Sequence, residues 1–178
     1  MKYIVPYNSR WPDRFRRIAS GLMPNLPGFC DIHHVGSTSV PGMPAKDIID
    51  LDIECPAGRM TSVVKALSEI GYVHEGDKGI RGREAFHPMA GSAPASWPPH
   101  HLYACQANAH ELLKHLAYRE YLRHNDDRAE WLAQQKISAD RRANSRDEYI
   151  ANKNEAYAII TRESLSWARR SMPQLPKM

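Results

Sequence analysis

The stretch Gly36-Ser-Thr-Ser-Val-Pro-Gly-Met-Pro-Ala-Lys-Asp-Ile-Ile-Asp-Leu-Asp52 decides how this chain is read. At its end Ile49, Leu51 and Ile53 alternate with Asp50 and Asp52. A strand here turns its apolar side chains to a core and both acids to the other face. Two residues apart on a strand, the acids have backbones about 6.6 Å apart. Their carboxylates can converge on one ion or on a pair about 3.5–4 Å apart. Hard oxygen donors of this kind suit Mg²⁺, which takes one or two carboxylates together with substrate phosphates and water. Glu54 continues the same face but lies about 13 Å from Asp50 by strand rise, too far for the same ion. Upstream, Gly36, Ser37, Thr38 and Ser39 offer backbone N–H groups and three hydroxyls, the materials of an anion-binding nest. The Gly-Lys-[Ser/Thr] ending of a Walker loop is absent. Lys46 adds a point charge suited to phosphate. The competing reading is an ordinary turn followed by the solvated face of a half-exposed strand.

Outward from this segment, Trp11, Phe15, Ile18 and Leu22 recur at helical spacing, and Pro12 suits a first turn, so residues 11–23 are predicted as an amphipathic helix. Residues 29–35 and 48–55 read as strands. Met60, Val63, Val64 and Leu67 give a second helix that Gly71 stops, and residues 72–74 enter a third strand. Residues 76–99, rich in Gly and Pro, read as a long functional loop with room for one short strand. A strand over 102–106 follows. After residue 108 only helical periodicity remains, over 109–123, 129–143 and 145–170, the last opened by a Ser145-Arg-Asp-Glu148 capping box. Pro173 and Pro176 lie beyond its end. The expectation is an α+β fold: a single unit over 1–178, with a mixed α/β half over 1–107 and a helical half over 108–178.

The 178 residues suffice for one core without staples. Lys plus Arg total 24 against 20 acids, a net +4 with the charges interspersed, which suits small anionic ligands and gives nucleic acid little support as a partner. Cys30, Cys55 and Cys105 show no CxxC spacing, as expected of reduced, packed thiols in a cytoplasmic protein. No run approaches 18 apolar residues, so no membrane partner is expected.

Four arginines are further candidates. Arg81 and Arg83 sit in the long loop, and Arg119 and Arg123 share one helical face. Guanidinium groups grip phosphate bidentately, although surface ion pairs account for most such residues. Lys136 and Lys153 fall under the same alternative. His110 and His115 are five apart, about 140° around a helix, which excludes the metalloprotease pattern.

The segment His34-Val-Gly-Ser-Thr-Ser-Val-Pro-Gly-Met-Pro-Ala-Lys-Asp-Ile-Ile-Asp50 resembles the signature of the GrpB family. Val5-Pro-Tyr-Asn-Ser-Arg-Trp-Pro-Asp-Arg-Phe15, His100-His-Leu-Tyr103, Tyr118-Arg-Glu-Tyr-Leu-Arg123, and Tyr149 followed by Lys153 extend the resemblance along nearly the whole chain. It implies membership of the nucleotidyltransferase superfamily that includes DNA polymerase β; a related domain is fused to dephospho-CoA kinase in some bacteria. In that superfamily a Gly-Ser pair grips nucleotide phosphates and an Asp-x-Asp strand holds Mg²⁺, here Gly36, Ser37, Asp50 and Asp52. The implied reaction moves a nucleotidyl group from a nucleoside triphosphate to a small-molecule acceptor, and the alternative is a weak or inactive module that binds nucleotides or CoA precursors. Lys46, Arg81, Arg83 and His101 would serve the substrates, with Arg119 and Arg123 lining an acceptor pocket. The superfamily also supplies a third acid from a neighbouring strand. Here that strand reads His101-Leu-Tyr103 where the family usually has His-Leu-His, and Glu84 is the remaining candidate.

Overall fold

A computed structural model describes residues 1–171; Pro173 and Pro176 fall outside the described residues. Five strands form one mixed sheet in the order β1 (Asp31–Val35), β2 (Ile49–Cys55), β5 (His100–Gln106), β4 (Arg83–Pro88), β3 (Tyr72–His74). Only β2 and β5 run parallel; the other neighbours are antiparallel. The alternation read in β2 holds. Ile49, Leu51 and Ile53 join Leu102 and Ala104 of β5 in a core closed by Trp11, Ile18 and Leu22 of helix α1 (Trp11–Leu22) and by Val63 and Leu67 of α2 (Met60–Glu69). The opposite face carries Asp50 and Asp52, and α3 (His110–His124) covers part of it, with Leu112 and Leu116 packed on Val35 and Cys105.

The long loop contains a full strand, β4. Its glycine- and proline-rich flanks hid the alternation of Arg83 and Ala85 on one face with Glu84 and Phe86 on the other. Register then decides what each does: Arg83 lies opposite Cys105 and Glu84 opposite Ala104. Glu84 therefore projects to the α1/α2 side, where its carboxylate meets His74 Nε2 at 2.6 Å. This corrects its candidacy as a third acid, because a strand neighbour one place out of phase faces the wrong side.

Helices α4 (Asp126–Arg142) and α5 (Arg146–Ser171) complete the helical layer. The capping box forms in a modified version: the Glu148 N–H donates to Ser145 Oγ at 3.1 Å, while the Glu148 carboxylate accepts from the Asn144 N–H at 2.8 Å instead of from that of Ser145. All three cysteines are free and buried, and burial raises the Cys30 thiol to about 11. No helix among the described residues is long and apolar enough to cross a membrane.

Candidate functional site

β1 ends at Val35, directly opposite Asp50, and the chain turns there through Gly36 with φ +69° and ψ −170°. That conformation belongs essentially to glycine, and a Cβ at this place would run into Asp50 Oδ2. The glycine thus lets the backbone close on the carboxylate. A single 3₁₀ turn over Ser37–Ser39 follows. Ser39 Oγ donates back to the Gly36 carbonyl at 2.6 Å, and the Thr38 hydroxyl is bonded to His34 Nε2 at 3.0 Å. Burial lowers the His34 pKa to about 4, so its ring is neutral and structural. Of the three hydroxyls, that of Ser37 alone is met by a cation among the described residues: it accepts from Lys136 Nζ at 2.8 Å.

Asp50 stands where two adjoining lobes of a cleft meet, each about 230 Å³, sharing Ser37, Asp50 and Lys153. In the first, Lys46, Lys136 and Lys153 gather with His101 and Tyr149. Lys136 is only 5% exposed; burial and the nearby Lys153 lower its pKa to about 7, against the pull of Asp50. Burial likewise lowers Lys153, whose ammonium lies between the rings of Tyr149 and Tyr157 at 5.7 and 5.9 Å. Lysines withdrawn from water with no carboxylate partner among the described residues are costly, and an anion in the lobe would relieve them. The second lobe is lined by Arg83, Tyr103, His115, Tyr118 and Tyr157.

Asp52 is differently placed. It is 0% exposed, its Oδ2 accepts from His115 Nδ1 at 2.7 Å, and its Oδ1 is buried without a partner among the described residues. His115 Nε2 faces Glu111 Oε1 at 3.2 Å. Both ring nitrogens therefore meet carboxylates, which outweigh the burial and raise His115 to about 9. Glu111 falls to about 2 through its bonds to His115 and Lys114.

The expected residues divide accordingly. Gly36, Ser37, Thr38, Lys46, Asp50, Arg83 and His101 all line the cleft, with His101 Nδ1 2.9 Å from Asp50 Oδ1. Ser39, Arg119 and Arg123 do not line either lobe. Arg123 donates through Nε and Nη2 to the Ser39 carbonyl at 3.0 and 2.7 Å, and Arg119 through Nη1 to the His34 carbonyl at 3.0 Å. These two arginines tie the Gly36 turn to α3. Arg81 is exposed in the turn before β4, outside the cleft lining. From the sequence, Lys136 and Lys153 are undervalued, His115 is weighed only against the metalloprotease pattern, and Glu111 and the tyrosines receive no role in the site. One signal was present: Tyr149, Lys153 and Tyr157 recur every fourth residue, a single stripe along α5.

Fit to a metal can be judged from these donors. Among the described residues no three His, Cys, Asp or Glu side chains gather around one point. On β5, His101 and Tyr103 stand opposite Asp50 and Asp52, where a third acid would be. The set does not suit a two-ion cage. It does suit one Mg²⁺ held through Asp50, since that ion needs few carboxylates when phosphates and water complete its shell.

The GrpB protein family model matches residues 3–163. The chain belongs to the GrpB family. Curated GrpB relatives include the UPF0157 protein YqkA of Bacillus subtilis, 30% identical over 169 residues that cover 93% of this chain and 48% of YqkA. A UPF0157 protein of Pseudomonas aeruginosa is 31% identical over 96% of this chain and 71% of its own length. The chain thus spans about half of the first relative. Among solved structures, conserved protein GrpB from Enterococcus faecalis superposes with a TM-score of 0.78 and 29% identity, covering 94% of this chain and 99% of that one. Cid1 in complex with ApU gives a TM-score of 0.55 at 13% identity, covering 78% of this chain and 43% of Cid1. At that identity the likeness is one of fold: GrpB shares a nucleotidyltransferase-like architecture.

Proposed function

We propose that this GrpB protein binds a nucleoside triphosphate with Mg²⁺ and transfers its nucleotidyl group to a small-molecule acceptor. The observation that carries the reading is the cationic cleft centred on Asp50, with the glycine turn closed against that carboxylate and Lys46, Lys136 and Lys153 lining one lobe with Ser37. The fold-level likeness to Cid1, solved as a poly(U) polymerase with MgGTP and with the UTP analogue UMPNPP, supports it.

In this reading the lysine lobe takes the triphosphate. Lys136 and Lys153, already dehydrated, balance its charge, the Ser37 hydroxyl and the turn N–H groups orient it, and Asp50 holds the ion. Bound Mg²⁺ would supply charge neutralisation at the reacting phosphate. An acceptor oxygen bonds to the α-phosphorus as the bond from that phosphorus to the pyrophosphate oxygen breaks, and pyrophosphate leaves. The acceptor's proton passes to Asp50 or to His101 beside it. Asp50→Asn should abolish Mg²⁺-dependent pyrophosphate release without unfolding the chain, and unchanged release in that variant removes the proposal.

One observation favours a second reading, a module that binds nucleotides or CoA precursors with little chemistry. Asp52 is already neutralised by His115, and Tyr103 stands opposite it instead of an acid. That reading expects triphosphate to stabilise the fold, by about 2.7 kcal/mol at a hundredfold excess over Kd, with no pyrophosphate formed.

A further inference from the structure

Arg83 opens β4, and its register opposite Cys105 turns it to the face that carries Asp50. The residue is only 8% exposed, yet its Nε is buried with no hydrogen-bond partner among the described residues. The nearest carboxylate is no substitute. Glu111 Oε1 lies 3.8 Å from Arg83 Nη1, beyond hydrogen-bonding distance, and both Glu111 oxygens are taken by Lys114 at 2.7 Å. A guanidinium carries five donors in one plane, and burying it with part of that fork unmet costs free energy that a bound acceptor would return. The Tyr103 ring lies 4.5 Å from its Cζ. Such stacking fixes the guanidinium plane and leaves the N–H edge to select what binds.

The second lobe, about 230 Å³, is lined by Arg83 with Gly36, Tyr103, His115, Tyr118 and Lys153. It adjoins the lysine lobe through Ser37, Asp50 and Lys153. We propose that the Arg83 lobe binds the phosphate group of a small phosphorylated acceptor, with Arg83 as the gripping residue. The acceptor role rests on the nucleotidyltransferase reading; the anion site stands on the buried, unmet guanidinium. Phosphate is favoured over carboxylate because Lys153 and Tyr118 line the same lobe as the arginine and bring further donors to it, more than a single carboxylate can use. The lobe is smaller than ordinary ligand pockets of about 300–1,000 Å³, which suits a compact metabolite and not a nucleic-acid strand.

Inorganic phosphate is the probe, titrated calorimetrically into the full chain alone and with a saturating non-hydrolysable nucleoside triphosphate plus Mg²⁺. Phosphate should bind in both conditions and more tightly than acetate. Arg83→Gln should weaken it about 10- to 100-fold, the range for loss of a charged hydrogen bond. Arg83→Lys, which keeps the charge and stem if the Gln variant fails to fold, should weaken it about 10-fold by losing the planar fork. Lys136→Met should impair nucleotide binding, and Arg83→Gln should still weaken phosphate binding in that background. No phosphate binding, wild-type phosphate affinity in both Arg83 variants, displacement of phosphate by the nucleotide, or acetate binding as tightly would each overturn the proposal. Arg83-dependent phosphate binding in a chain that takes no nucleotide upholds the anion site and removes the transferase reading.

Discussion

Replacing Gly36 by alanine tests whether the close approach of the turn to Asp50 shapes the site. Two costs combine. The backbone at φ +69° and ψ −170° lies where a residue with a Cβ is strained by about 1–3 kcal/mol. The added methyl also collides with Asp50 Oδ2, and relieving an overpacked contact costs about 1–3 kcal/mol more. The carboxylate must swing away and give up its 2.9 Å contact with His101. Gly42 is the control: its φ is +77°, but nothing lies within 4 Å of where its Cβ would be. Gly42→Ala should therefore carry only the backbone strain, about 1–2 kcal/mol. At about 2–4 °C per kcal/mol for a chain of this size, Gly36→Ala should melt about 10 °C below the wild type and Gly42→Ala about 4 °C below. The thermal melts are repeated with triphosphate and Mg²⁺, where Gly42→Ala keeps any ligand stabilisation and Gly36→Ala loses it. If the two variants melt within a degree or two of each other and respond equally to ligand, the argument from close approach is refuted.

Removing the partner of Asp52 should be costly in a different way: His115→Gln leaves a buried carboxylate unpaired and should destabilise by about 3–5 kcal/mol. Adding Asp52→Asn should recover most of that loss in a denaturant melt, and a double variant no more stable than the single one would contradict the ion-pair assignment. Lys136→Met should raise stability, because the pKa of this buried lysine is lowered to about 7. The unfolded chain holds that proton up to about pH 10.4, so the wild-type penalty is complete below pH 7 and fades as pH rises toward 10. The gain measured by melting should shrink over the same window. Asp140 accepts from the N–H groups of Lys2, Tyr3 and Ile4 at 2.8, 2.7 and 3.2 Å, which hold its pKa low despite burial. Its contribution is present above the unfolded value near 4 and is lost as pH falls through the lower folded value. Asp140→Asn should therefore destabilise at pH 7 by about 1–3 kcal/mol and flatten the acid limb of the stability curve.

Much of the layout could be read along the chain because it rests on local periodicity. Ile49, Leu51 and Ile53 mark the face β2 buries, Trp11, Ile18 and Leu22 mark that of α1, and the alternation assigns Asp50 and Asp52 to one side before any neighbour is known. β4 was legible only as room for one short strand within residues 76–99, because glycines and prolines on both sides outweighed its short alternating run. Register is set by pairing across the sheet, and that alone separated Arg83, aimed into the cleft, from Glu84, aimed away from it.

By itself, then, the sequence determined the α+β class, the strand that carries the two aspartates, and the glycine turn before it, since these follow from side-chain period and residue type. Only the tertiary structure decided which charges meet. It brought Lys136 onto Ser37 and Lys153 into the same cleft from distant helices, closed His115 over Asp52, and turned Arg119 and Arg123 into braces for the turn. Coulombic and desolvation energies depend on distances between residues far apart in the chain, and no local pattern encodes those distances.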